Sequence, residues 1–263
     1  GVIYPIYMAR PDSPMLSIKQ LRVLCQATAP NPARESLVGK FSRMFSIYFT
    51  RLFIPTNITP NQITVMSVLV FFAGIAAVMV GNLVWGLIGC LLIFFSIILD
   101  GCDGEIARYK KNGSVAGTLF VEPVSHDVQY GLMFPLLGLG SYLQSTSVEA
   151  WTFIVLGFIA GIAKLLFRLL EVRMWNLTSY MNQISDEKIE EIKRDYTEKA
   201  PHIRLVYWIN KNIFSSTGVF VVLLVAVLFS QVELYIYLYA LGYTGLWLLL
   251  FGKQMYKVSK KKY

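Results

Sequence analysis

The chain has 263 residues, of which 55% are hydrophobic and 15% charged, with a mean hydropathy of +0.54. Charged residues make up roughly 25% of an ordinary soluble domain, so this composition excludes one and indicates an integral membrane protein. The net charge of +8 does not point to nucleic acid, because Lys and Arg fall between and beyond the apolar stretches, as membrane topology requires.

Residues 1–34 are rich in proline and show little periodicity, so they read as a linker or a trimmed N-terminal extension. Residues 35–263 read as one membrane domain. It opens with Leu37, Phe41, Phe45, Tyr48 and Leu52 at helical spacing, with Lys40, Arg43 and Arg51 on another face. That pattern predicts an amphipathic helix over about 36–53, lying on the cytoplasmic membrane interface. Pro55 and Pro60 punctuate the chain before the next helix.

Six stretches are apolar enough to cross a bilayer at about 20 residues per span: near 62–80, 84–107, 115–140, 149–172, 205–230 and 233–256. The expected fold is therefore all-α, with six transmembrane helices. The connections at Gly81-Asn82, Ser141 to Val148 and Gln231 to Glu233 hold no Lys or Arg, whereas Arg108, Lys110, Lys111, the stretch from Arg173 to Arg204 and the tail from Lys253 to Lys262 are rich in them. The positive-inside rule then puts both termini in the cytoplasm. The charged stretch Ser179 to Ala200 reads as a cytoplasmic hairpin or an extension of the fourth span. Trp85, Trp151, Trp175 and Trp208 suit the aromatic belt, and Lys260 to Lys262 suit an inside anchor touching anionic lipids. Cys25, Cys90 and Cys102 lack metal-ligand spacing and form no disulfide framework.

The chemistry concentrates where the second span ends, in Asp100-Gly101-Cys102-Asp103-Gly104-Glu105-Ile106-Ala107-Arg108. Asp100 and Asp103 share one side of a helix, and paired carboxylates suit a hard cation such as Mg²⁺ or Mn²⁺. Gly104 beside them lets a base or phosphate approach the backbone, and Arg108 offers a guanidinium fork for phosphate oxygens. The next helix brings Glu122 and His126 to one face, four residues apart, with Asp127 adjoining; a neutral imidazole there suits a general base for an alcohol.

These residues resemble the CDP-alcohol phosphotransferase family, whose pattern is DxxDGxxAR, a spacer, then GxxxDxxxD. Asp100, Asp103, Gly104, Ala107 and Arg108 match its first half. In the second half a shorter spacer puts Gly117 at the glycine and Val121 and Ser125 at the aspartates. A longer one puts Thr118 at the glycine, Glu122 and His126 at the aspartates, and is preferred because it restores a carboxylate and a base. The entry Thr59-Pro60-Asn61-Gln62-Ile63-Thr64 is also like the family's own.

The resemblance implies that Asp100, Asp103 and Glu122 hold Mg²⁺ or Mn²⁺, in all two ions. Gly104, Ala107, Arg108, Gly117, Thr118 and Asn61 would contact a CDP-linked donor. His126, or Asp127 in its place, would take the proton of an alcohol acceptor that attacks the distal phosphorus and releases CMP. The implied role is phospholipid biosynthesis with CDP-diacylglycerol as donor, the active site facing the cytoplasm in a homodimer surrounded by membrane lipids. The reverse arrangement, a polar head group carried by CDP to a lipid alcohol, is the alternative.

In the fourth span Lys164 and Arg168, with Glu171 following and Arg173 and Lys211 as helpers, suit an acceptor's phosphate or hydroxyls as well as they suit snorkelling towards the interface. Cys102 faces elsewhere and reads as packing. Two other classes compete. A cation transporter is disfavoured by Arg108 beside the carboxylates and by the lack of an internal repeat, and an inactive scaffold would bind CDP without turnover.

Overall fold

A computed structural model of the chain describes residues 16–27, 36–111, 113, 116–182 and 210–260. Among them every regular element is helical. Helix α1 (Ile18–Leu21) runs into a wider turn over Arg22–Gln26. It is followed by α2 (Leu37–Phe53), α3 (Pro60–Val78), α4 (Leu83–Lys110), α5 (Glu122–Gln144), α6 (Trp151–Asn182), α7 (Ser216–Leu228) and α8 (Val232–Ser259). The segment expected to be a linker thus contributes a helical turn, with Leu21 and Cys25 buried against Ile47 of α2.

Four helical stretches are long and apolar enough to cross a membrane: Pro60–Val78, Leu83–Lys110, Val148–Met174 and Val232–Ser259. They match four of the expected spans and are the composition of a multi-pass membrane protein. α5 is long enough, but Glu122, Ser125, His126, Asp127 and Gln129 crowd its first two turns, and α7 is short. Residues 205–209 of the fifth expected span, and residues 183–200 of the expected hairpin, lie outside the described residues. α6 itself runs on to Asn182, past the expected end of its span.

Local sequence sets the helix starts. Thr59 and Gln62 form a capping box with Pro60 at the first position of α3, Asn82 caps α4 through the Trp85 amide at 2.9 Å, and Ser215 caps α7 through Gly218 at 3.1 Å. The turn into α4 passes through Gly81 at φ 81°, a left-handed conformation that costs glycine nothing. The three connections without Lys or Arg, around Gly81, Gln144 and Ser230, line one cavity of about 150 Å³ at a single end of the bundle. At the opposite end Lys110 donates to the carbonyls of Thr56 (2.8 Å) and Ile58 (3.0 Å), tying the α2–α3 connection to the last turn of α4.

The interior packs on small residues and aromatics. A Cβ at Gly89 would stand 2.5 Å from the Gly74 carbonyl and one at Gly157 would stand 2.5 Å from that of Phe134, so α3 meets α4, and α5 meets α6, backbone to backbone. Tyr235, Tyr239 and Tyr243 form one buried stripe of α8 against Phe134. Tyr239 and Tyr243 donate, each at 2.8 Å, to the carbonyls of Ile213 and Phe214 respectively, at the end of a wide helical turn where backbone oxygens lack a regular helical partner.

α2 is inverted relative to a soluble amphipathic helix. Ser42, Ser46, Ile47 and Thr50 face inward, while Leu37, Phe41, Met44, Phe45, Tyr48 and Leu52 are exposed.

Candidate active site

α4 supplies the acidic pair. Asp103 is buried and accepts from Thr64 Oγ1 of α3 at 2.5 Å. Asp100, one turn earlier, is partly exposed, and its Oδ1 lies 2.9 Å from His126 Nε2 of α5. Glu122, one turn before His126, is exposed. Asp100, Asp103 and Glu122 stand close enough to repel one another, with Arg108 and Arg168 acting on Glu122 from the flanks.

The entry to α5 explains why Glu122 and His126 present this face. Residues Gly117–Val121 form a wide turn closed by the Glu122 amide on the Gly117 carbonyl. Such a turn takes up one residue more than a regular helical turn, which is the offset between the two spacers of the sequence pattern. His126 reaches Asp100, whereas Ser125 turns back to the carbonyls of Val121 (2.8 Å) and Glu122 (2.9 Å) of its own helix.

Arg108 closes the group. Its Nε donates to the Cys25 carbonyl at 2.5 Å, and its Nη1 would be 3.2 Å from a Cβ at Gly104. Gly104 thus leaves room for the guanidinium to fold back along α4. A Cβ on Gly113 would stand 3.3 Å from the Ala107 Cβ, so Gly113 packs closely against Ala107. Asn61 lies exposed in the first turn of α3, one turn before Thr64, and Thr118 is exposed in the wide turn with Gly117 partly covered.

The span-four cluster divides. Asp127 Oδ1 and Arg168 Nε are 2.5 Å apart, but they are not aligned as a hydrogen bond, so the contact joining α5 to α6 is ionic. Lys164 is buried, donates to the Phe214 carbonyl at 3.3 Å and sits 4.7 Å from the Tyr243 ring centre. Its ammonium therefore helps to hold the break before α7. Arg173 and Glu171 are exposed further along α6. The side chain of Lys211 lies outside the described residues. Cys102 is buried and bonds the carbonyls of Ile98 and Ser46.

Glu105 and Thr64 escaped the sequence reading. Glu105 occupies a variable place in the motif, yet it is buried and accepts from Gln26 (2.8 Å), Ser46 (2.6 Å) and Thr50 (2.6 Å). The available signal was Ser46 and Thr50, two hydroxyls four residues apart amid the aromatics of α2.

Among the described residues no three of His, Cys, Asp and Glu are arranged to ligate one ion. The donor chemistry nevertheless fits a hard divalent cation: three carboxylates are gathered against their own repulsion, and among the described residues Asp100 and Asp103 are each met by one bonding side chain.

A model of the family described as CDP-alcohol phosphatidyltransferase matches residues 57–250, which is most of the chain and includes every residue of the site except those of α2 and the N-terminal turn. No curated protein matches the chain.

Proposed function

This chain belongs to the CDP-alcohol phosphatidyltransferase family, which transfers a phosphoalcohol from a CDP-alcohol in lipid synthesis, and from that premise we propose that it passes a phosphatidyl group from CDP-diacylglycerol to a polar alcohol with release of CMP. The observation that carries this reading is the 2.9 Å contact between His126 Nε2 and Asp100 Oδ1, which couples a base to the acidic pair across two helices. With the Nε2 proton donated to Asp100, Nδ1 keeps the lone pair that accepts the alcohol proton.

The family is generally metal-dependent. Asp100, Asp103 and Glu122 are the residues to hold Mg²⁺ or Mn²⁺, which would neutralise charge on the attacking and leaving oxygens. Thr64 fixes the carboxylate of Asp103. Gly104, Ala107 and Arg108 receive the diphosphate, with Gly117, Thr118 and Asn61 around the nucleotide. Asp127 orients Arg168, and Arg168 and Arg173 meet the acceptor, with Lys164 buttressing the wall behind them. Six helices from α3 to α8 crossing the membrane, α2 on the interface with its aromatics in lipid, a cytoplasmic site and a homodimer complete the reading; the outward apolar face of α2 supports its interfacial place.

The test is CMP release by the purified protein in detergent with Mg²⁺ or Mn²⁺, CDP-diacylglycerol and a panel of alcohols. Release that needs the metal, one alcohol, Asp103 and His126 is the expected result. Release only with a CDP-linked head group and a lipid alcohol would reverse the donor, and CDP binding without any release would mark a silent scaffold.

A further inference from the structure

We propose that residues 17–27, upstream of the family-matched region, form a strap that aims Arg108 at the donor's diphosphate, with Gln26 as the positioning residue; this rests on the CDP reading above. Arg108 stands in the last turn of α4 with its Nε committed to the Cys25 carbonyl at 2.5 Å and a terminal nitrogen over Gly104. A guanidinium tied through Nε to a backbone oxygen keeps its paired terminal N–H groups for a phosphate and loses the freedom to swing away.

The carbonyl that ties it is held in turn by the next residue. Gln26 Nε2 donates to Glu105 Oε1 on α4 and to the Arg43 carbonyl on α2, both at 2.8 Å. Arg22 fixes the other end of that amide, donating to Gln26 Oε1 at 3.2 Å, and reaches the Met44 carbonyl at 3.1 Å. Leu21 and Cys25 anchor the strap in the apolar cluster around Ile47. Glu105 also takes Ser46 and Thr50, so α2, α4 and the strap meet at one buried carboxylate two residues from Asp103 and three from Arg108. The strap bonds the catalytic helix at two points, Glu105 and Arg108. A device that merely fastened the N-terminus would have no need of the second.

Pre-ordering one long cationic side chain before its ligand arrives is worth up to about tenfold in affinity, about 1.4 kcal/mol. The experiment is titration of CDP, with Mg²⁺, into the purified full chain in detergent, with the melting temperature and CMP release followed in parallel. Gln26→Ala should weaken CDP about tenfold with unchanged binding stoichiometry, and kcat at saturating donor should stay within about threefold. In an Arg108→Ala background the same change should cost nothing further, because its effect runs through the arginine. If Gln26→Ala lowers stoichiometry through misfolding, Gln26→Glu paired with Glu105→Gln, which exchanges amide and carboxylate, serves instead and should bind CDP more tightly than Gln26→Glu alone. CDP affinity unchanged by Gln26→Ala, an undiminished loss in the Arg108→Ala background, or no recovery in the exchanged pair overturns the strap's role. A wild-type chain that neither binds CDP nor releases CMP overturns the CDP reading, and the strap's role falls with it.

Discussion

Two faces of α4 carry carboxylates within a turn and a half of each other, and they are treated in opposite ways. Glu105 is 1% exposed and saturated by three neutral donors from α2 and the N-terminal turn. Among the described residues Asp100 and Asp103 each meet one bonding side chain, His126 and Thr64 respectively, and they repel each other and Glu122. Burial does not separate them, since Asp103 is 6% exposed. What separates them is the accounting of lone pairs. A carboxylate with about four acceptor positions and three side-chain donors has little capacity left, while one met by a single side chain beside like charges retains capacity for a cation or a substrate proton.

Substitutions on the two faces should therefore fail in different assays. Asp103→Asn, which keeps size and burial, should cut CMP release by about a hundredfold to a thousandfold while leaving the melting temperature in detergent near wild type; activity within a few-fold of wild type would place Asp103 with Glu105 as a structural residue. Glu105→Ala should do the reverse, stranding three donors at a cost of about 3 kcal/mol of stability, seen as a lowered melting temperature, with Glu105→Gln losing about a third as much. Loss of CMP release by Glu105→Gln without any thermal change would break the contrast. His126→Ala should lower kcat by about a hundredfold with nucleotide affinity retained, which single-turnover measurement of CMP checks. The smallest effect is expected of Thr64→Val, which removes one bond to Asp103 without changing volume. A fall of about tenfold in metal affinity or turnover, read by Mg²⁺ titration of CMP release, would show that the acidic face depends on the Thr64 hydroxyl.

Much of the architecture was legible because it follows from local rules. The spans at α3, α4, α6 and α8 announce themselves by length and hydropathy, and Thr59, Pro60 and Asn82 mark helix starts by capping chemistry. The motif from Asp100 to Arg108 was readable since its spacing fixes a helical face. The partner of Asp100 was harder to read. Two spacers were possible before α5, and a wide turn at Gly117–Val121 shifts the face in a way that a fixed helical period cannot express. Lys164 and Arg168 looked equivalent at one-turn spacing, yet one bonds the Phe214 carbonyl and the other faces Asp127, because α6 meets different helices along its length.

The sequence by itself determined the membrane class, the helix starts and the acidic motif, since hydropathy, capping and same-face spacing are properties of neighbouring residues. Only the tertiary structure decided which carboxylate is sealed and which is open, and that the N-terminal turn reaches Arg108. Those outcomes depend on partners brought from 39 or more positions away in the chain, the donors Thr64, Ser46 and Gln26 and the accepting Cys25 carbonyl, and hydrogen bonds between distant segments leave no periodic trace in the sequence that forms them.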